Sequence, residues 1–149
     1  MNDTRPEFLQ LIRQLARSYQ AFEMYSNRHI RHLGLTECQF DIVATLGNTP
    51  GMNFRELGEH TLITKGTLTG VVDRLVDRGL VRRDADKSDG RSQIVSLTEA
   101  GNQVFAEAFP AHLAHLRSVM QELGDDRMKQ MREMLMELEN VFRQAEGTE

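Results

Sequence analysis

The segment 63–101, ITKGTLTGVVDRLVDRGLVRRDADKSDGRSQIVSLTEAG, constrains the fold more than any other part of the chain. It opens on small and hydroxylated residues: Thr64, Gly66, Thr67, Thr69 and Gly70. Leu68, Val71, Val72 and Leu75 are interleaved at three- and four-residue steps, which gives a helix one buried face. Gly79 closes that helix as a C-terminal cap. Residues 80–83 and 93–97 then read as paired strands joined by the polar segment 84–92. A helix with a polar start, followed at once by a hairpin with a charged tip, is the order of a winged helix-turn-helix. The expected fold class is therefore mainly α, with a small β wing.

The flanks are helical. Phe8, Leu11, Ile12, Leu15, Tyr19, Phe22 and Tyr25 make one broad apolar stripe along residues 5–31. Asp3 or Thr4 is positioned to cap it, and Pro6 suits a first helical turn. Gly34 closes the segment. Thr36 with Gln39, and Asn53 with Glu56, have the spacing of capping boxes and so start a second and a third helix. Phe40, Ile42, Val43, Leu46 and Leu57 supply their core faces. Thr98 caps a helix reaching about residue 120, and Pro110 predicts a bend within it. A last helix begins near Asp125 or Asp126. In it Met128, Met131, Leu135, Leu138 and Phe142 repeat in a 3-4-3-4 pattern, a heptad seam.

The chain has 149 residues, enough for one domain with helical extensions. No apolar run is long enough to span a membrane. The start reads MNDTRPEF and carries no signal-peptide pattern. Cys38, the only cysteine, cannot form an internal disulfide, so a reducing, cytoplasmic setting is expected. The net charge of −4 excludes a general nucleic-acid coat but not a local reader, because binding follows where charge sits. Residues 52–98 hold eight Lys/Arg and seven Asp/Glu, or +1, leaving −5 for the rest of the chain.

On the helix that starts near Thr64, the residues Thr64, Lys65, Thr67 and Thr69 are candidates for contact with a DNA major groove. Hydroxyls at a helix start suit phosphate oxygens and base edges. Arg74, one turn on, can reach phosphate or guanine. At the hairpin tip Arg91 is the candidate for a narrow, negative minor groove, with Lys87 beside it. Asp89 can orient the Arg91 guanidinium by a bidentate pair. The plainer reading of these residues is a capped, solvated helix and a polar turn. Asp73 and Asp77 are expected off the DNA face, Asp73 pairing near Arg74 or with the wing.

Taken in order, residues 35–101 resemble the MarR family of bacterial transcriptional regulators. The marks are Thr36 and Gln39; Glu56-Leu57-Gly58; Val72-Asp73-Arg74-Leu75; Arg78-Gly79-Leu80-Val81; Asp89-Gly90-Arg91; and Leu97-Thr98-Glu99-Ala100-Gly101. The resemblance implies a winged helix-turn-helix over residues 35–97, and a dimerisation region of intertwined helices from residues 1–34 and 98–149. It implies a homodimeric repressor that reads a palindromic double-stranded DNA operator and is released by a small-molecule effector. No cofactor is required, and no membrane is involved. Carried to matching positions, Thr64, Lys65, Thr67 and Thr69 face the major groove and Arg91 the minor groove. Many family wings read Asp-Arg-Arg; here Gly90 takes the middle place, so one basic contact per wing is missing. Independently of the resemblance, the heptad seam calls for a partner, with Phe8, Leu11, Met131, Leu135, Leu138 and Phe142 as interface residues.

The signal is left open between three readings. A small aromatic or anionic ligand fits residues Tyr19, Tyr25 and His29, with Arg13 and Arg28 near in sequence. A metal fits the His-x-x-His pairs His29/His32 and His112/His115, completed by Glu23, Glu107 or Cys38. Oxidation fits Cys38, whose pKa Glu37 raises and the helix start lowers. An enzyme is excluded for want of parts: the chain has no GxSxG, no P-loop and no HExxH. A helical adaptor would leave the wing unexplained.

Overall fold

The computed structural model describes residues 5–147. The expected caps at Asp3 and Thr4 lie outside these residues. Helix α1 spans Glu7–His32, with Pro6 at its N-cap and no side-chain cap bond. Helix α2 (Glu37–Leu46) starts on the predicted capping box: Thr36 Oγ1 accepts from the Gln39 N–H at 3.2 Å, and Gln39 Oε1 accepts from the Thr36 N–H at 3.1 Å. A short strand β1 (Met52–Asn53) precedes α3 (Phe54–His60), which starts on the second box, Asn53 with Glu56. Helix α4 (Lys65–Asp77) leads through Gly79, at φ +70°, into strands β2 (Val81–Ala85) and β3 (Gln93–Leu97). Helix α5 (Glu99–Met120), a 3₁₀ turn at Gln121–Leu123 and α6 (Asp125–Glu146) complete the chain. Pro110 does not interrupt α5.

The sheet order is β1-β3-β2, both pairings antiparallel. Strand β1 was not expected. It exists through two pairings, Met52 with Val95 and Asn53 with Ile94, so nothing local in the sequence marks it.

Two compact units emerge, one running to His112 and one from Leu113 onward. In the first, Ile42, Val43, Leu46, Leu57, Val72, Leu75 and Val95 are fully buried and form the centre of one core. These are the apolar faces of α2, α3 and α4 closed by β3. Each such side chain contributes about 1.5–3 kcal/mol relative to exposure. Two glycines admit close approaches. A Cβ at Gly47 would fall 2.1 Å from the Phe105 ring, and one at Gly101 would fall 2.0 Å from the Leu80 carbonyl oxygen. In the second unit, α6 has no buried residue: Met131, Leu135 and Phe142 are 44%, 54% and 49% exposed. The α1 stripe is likewise open, with Phe8 62% and Leu11 51% exposed.

Candidate nucleic-acid interface

Leu68, Val71, Val72 and Leu75 turn one face of α4 into the core. The helical period then directs Thr64, Lys65, Thr67 and Thr69 outward, and all four are exposed. Thr64 takes the N-cap position, but its hydroxyl bonds the Thr67 hydroxyl at 3.0 Å rather than a backbone N–H. Beside this face, Lys65 and Thr69 join Phe54, Arg55 and Ile63 around a cavity of about 410 Å³.

The wing owes its shape to carboxylates. Asp86 accepts from the Ser88 N–H at 2.9 Å and the Ser88 hydroxyl at 2.7 Å. These bonds hold its pKa below the ordinary aspartate value. The Asp86 N–H donates to the Ser92 carbonyl at 2.9 Å, closing the turn. Asp89 Oδ1 accepts from the Arg91 backbone N–H at 3.1 Å. This corrects one expectation: Asp89 folds the tip and forms no bidentate pair with the guanidinium. An aspartate reaches the amide two residues on more easily than the end of a long side chain. Arg91 and Lys87 are exposed. Arg91 and Asp89 line a groove of about 650 Å³ with Asn53, Phe54 and Arg55.

Arg83 anchors the wing to α4, a role that sequence reasoning missed. From β2 it pairs with Asp73 of α4, and its guanidinium lies 5.2 Å from the Phe54 ring centre. The expectation that Asp73 pairs with the wing is met by this residue. A second missed link joins the far end of α4 to α2: Arg78 Nη1 donates to Gln39 Oε1 at 3.0 Å. Arg74 does not extend freely beyond the helix. Its Nη2 lies 3.4 Å from where a Gly70 Cβ would stand, and it lines a cleft with Arg31 and Cys38.

The sensing candidates are only partly brought together. His29 Nδ1 lies 3.0 Å from His112 Nδ1, and Ser26 Oγ lies 3.0 Å from His112 Nε2. Phe40 of α2 packs edge-on against His112, ring centres 4.7 Å apart. His32 turns to the Arg28 carbonyl, its Nδ1 2.6 Å away. His115 lies three residues past His112 on α5, half-buried in the second unit, where its own carbonyl accepts from the Ser118 hydroxyl at 2.7 Å. Among the described residues no group of three or more His, Cys, Asp or Glu side chains stands close enough to hold a metal ion. Of the expected set His29, His32, His112 and His115, the structure brings His29 and His112 together.

Tyr19 lies on the open stripe of α1, 6.4 Å ring to ring from Phe22, and a bond to Glu23 raises its pKa. Arg28 and His32 border a cavity of about 560 Å³ along α1 that Tyr19, Tyr25 and His29 do not line. Burial, then Glu37 and Asp41, push the Cys38 thiol up, against a smaller opposing effect of Arg74.

A helix-turn-helix with an exposed polar face on α4, braced to a hairpin tipped by arginine, defines a winged-helix DNA-binding protein. A family-wide sequence profile, that of the MarR family, matches residues 35–93. The homoprotocatechuate degradative operon repressor of Escherichia coli is 31% identical over 137 residues, covering 92% of this chain and 88% of the relative. The HTH-type transcriptional regulator MhqR of Bacillus subtilis is 28% identical over 127 residues, covering 85% and 88%. The crystal structure of Sco3205, a MarR family transcriptional regulator from Streptomyces coelicolor in complex with DNA, matches with a TM-score of 0.81 at 25% identity, covering 92% of this chain and 89% of that one. The chain belongs to the MarR family of transcriptional regulators: it is a DNA-binding regulator and not an enzyme. No helix among the described residues is long and apolar enough to cross a membrane.

Proposed function

We propose that the protein is a cytoplasmic homodimeric repressor that reads a palindromic operator and leaves it when a small aromatic acid binds. The observation that carries the reading is the exposed Thr64, Lys65, Thr67 and Thr69 face, braced by Arg83 to a wing that presents Arg91. In this reading residues 35–97 contact DNA, and residues 1–34 and 98–149 dimerise. The open stripes of α1 and α6 support the second part, since apolar seams of this length are stable only when covered. Two-fold symmetry then sets the recognition helices about 34 Å apart, one turn of DNA. Repression and an aromatic effector are supported by the E. coli relative, a repressor of an operon for homoprotocatechuate degradation.

Metal and oxidant sensing are less well supported. His29 and His112 meet each other, but His32 and His115 join them in no ligand cluster, and the Cys38 thiol is disfavoured as thiolate. Iodoacetamide is expected to label Cys38 at pH 7.5 several-fold more slowly in the folded than in the denatured protein, with the rate still climbing above the pH where a free cysteine levels off. Equal rates in both states would show that the fold does not suppress the reactivity of Cys38.

Arg91→Ala is expected to weaken operator binding by about 1–3 kcal/mol and to leave the dimer intact. Unchanged affinity would remove the minor-groove role. The effector reading is tested by fluorescence anisotropy of the operator complex titrated with phenylacetic and benzoic acids at constant ionic strength. Saturable release supports it. Release that tracks only ionic strength would leave a regulator without an aromatic effector.

A further inference from the structure

We propose that Arg55, near the start of α3, is a further DNA-positioning residue. It clasps the phosphodiester that crosses between the groove read by α4 and the groove entered by the wing, and Glu59 holds it aside until DNA arrives. The proposal rests on the DNA-contact reading of α4 and the wing given above. Two cavities flank the start of α3. One, of about 410 Å³, opens toward Lys65 and Thr69 of α4. The other, of about 650 Å³, opens toward Asp89 and Arg91 of the wing. Among the described residues only Phe54 and Arg55 line both. Phe54 packs against the core, and its ring meets the Arg83 guanidinium at 5.2 Å. Arg55 is the one that projects: its side chain is 76% exposed. A strand that passes from a major groove at α4 to a minor groove at the wing must cross this ridge. The charged group it brings there is a phosphodiester, whose paired oxygens a guanidinium fork matches.

The plainer account of Arg55 is a surface ion pair that steadies α3. Its Nη1 lies 3.4 Å from Glu59 Oε1, four residues on. Both side chains are largely exposed, and such pairs contribute little. The order is also the less favourable one, because a cation in the first turn meets the positive end of the helix dipole. The Asn53–Glu56 capping box already starts the helix. Stabilising α3 is therefore a weak reason for an arginine at 55.

Glu59 lines the α4-side cavity together with Arg55. A carboxylate on a surface that meets DNA is repelled by phosphate. Paired with Arg55, it also competes with the phosphodiester for the same guanidinium. Glu59 thus lowers affinity through Arg55, and the pair sets how tightly the DNA backbone is held.

The test uses the full-length protein with Arg55→Ala, Arg55→Lys, Glu59→Gln and the double variant Arg55→Ala/Glu59→Gln. Circular dichroism and sedimentation check that fold and assembly are unchanged. Affinity is measured across salt concentration on a duplex that the protein enriches from a random library, and on a shuffled version of it. Arg55→Ala is expected to lower the log-log salt slope by about 1.8 on both duplexes, one phosphate for each of two protomers. Arg55→Lys, which keeps the charge, retains the wild-type slope. Glu59→Gln binds about twofold to fivefold more tightly than wild type at low salt, the worth of one exposed ion pair. That gain disappears in the double variant. An Arg55→Ala slope equal to that of the wild type overturns the proposal. So does a Glu59→Gln gain that persists in full without Arg55. Equal wild-type affinity for the two duplexes defeats sequence-selective reading instead. The slopes still decide Arg55 in that case, because a phosphate contact carries no sequence information.

Discussion

Leu135→Asp is expected to yield a folded monomer that no longer holds operator DNA. Leu135 sits at the middle of the seam Met128, Met131, Leu135, Leu138 and Phe142, on a 22-residue helix with no buried residue. Within one chain it is 54% exposed, so an aspartate there meets water and costs the subunit little. In the proposed symmetric pair, with the α6 seam as the interface, the same position is enclosed, and the carboxylate enters twice. An uncompensated charge at such a place costs about 3–5 kcal/mol. A loss of about 4 kcal/mol raises a dissociation constant roughly a thousandfold. Operator affinity falls with it, because each monomer keeps one half-site and loses the second. Sedimentation velocity at micromolar concentration reads the outcome. A fully dimeric variant would exclude the α6 seam as the interface.

Gly101→Ala is expected to destabilise the fold by about 3 kcal/mol, the upper end of the range for forcing one extra methyl into a packed site. The new Cβ would stand 2.0 Å from the Leu80 carbonyl oxygen and 3.2 Å from Leu97 Cδ2. Side chains yield at such distances; a backbone carbonyl does not yield cheaply. The Leu80 carbonyl also accepts from the Thr98 N–H at 3.0 Å, and the Thr98 hydroxyl donates to the Gly79 carbonyl at 2.6 Å. The first turn of α5 is therefore bonded to the base of the wing, and lifting one moves the other. For a chain of this size the loss lowers Tm by about 6–12 °C. Calorimetry measures it, and a variant with wild-type Tm would show that the α5 start is not tightly seated.

What could be read from the sequence was local. Thr36 with Gln39, and Asn53 with Glu56, satisfy amides three residues apart, so both capping boxes are visible without any knowledge of the fold. The four buried apolar residues of α4 follow from one helical period. The features that sequence reasoning does not reach depend on partners far along the chain. Strand β1 exists only because Val95 and Ile94 arrive beside it. The role of Arg83 requires Asp73 and Phe54 from two other elements. The histidines pair differently from their spacing: His29 meets His112, 83 residues away, while the sequence neighbours His32 and His115 stay out of that contact. The Asp89–Arg91 bridge fails for the opposite reason, because a shorter bond to the backbone is available. The apolar stripes of α1 and α6 are legible as patterns, but a single chain does not contain what covers them.

The proposed function requires sequence-selective reading of duplex DNA by a two-fold pair of winged helices. Selection of bound duplexes from a random library by the purified protein, followed by sequencing, tests this directly. The expected product is an enriched palindrome with half-sites about one helical turn apart, roughly 10–10.5 base pairs centre to centre. Enrichment of no sequence over the input library, with only salt-sensitive retention of all duplexes alike, would contradict it.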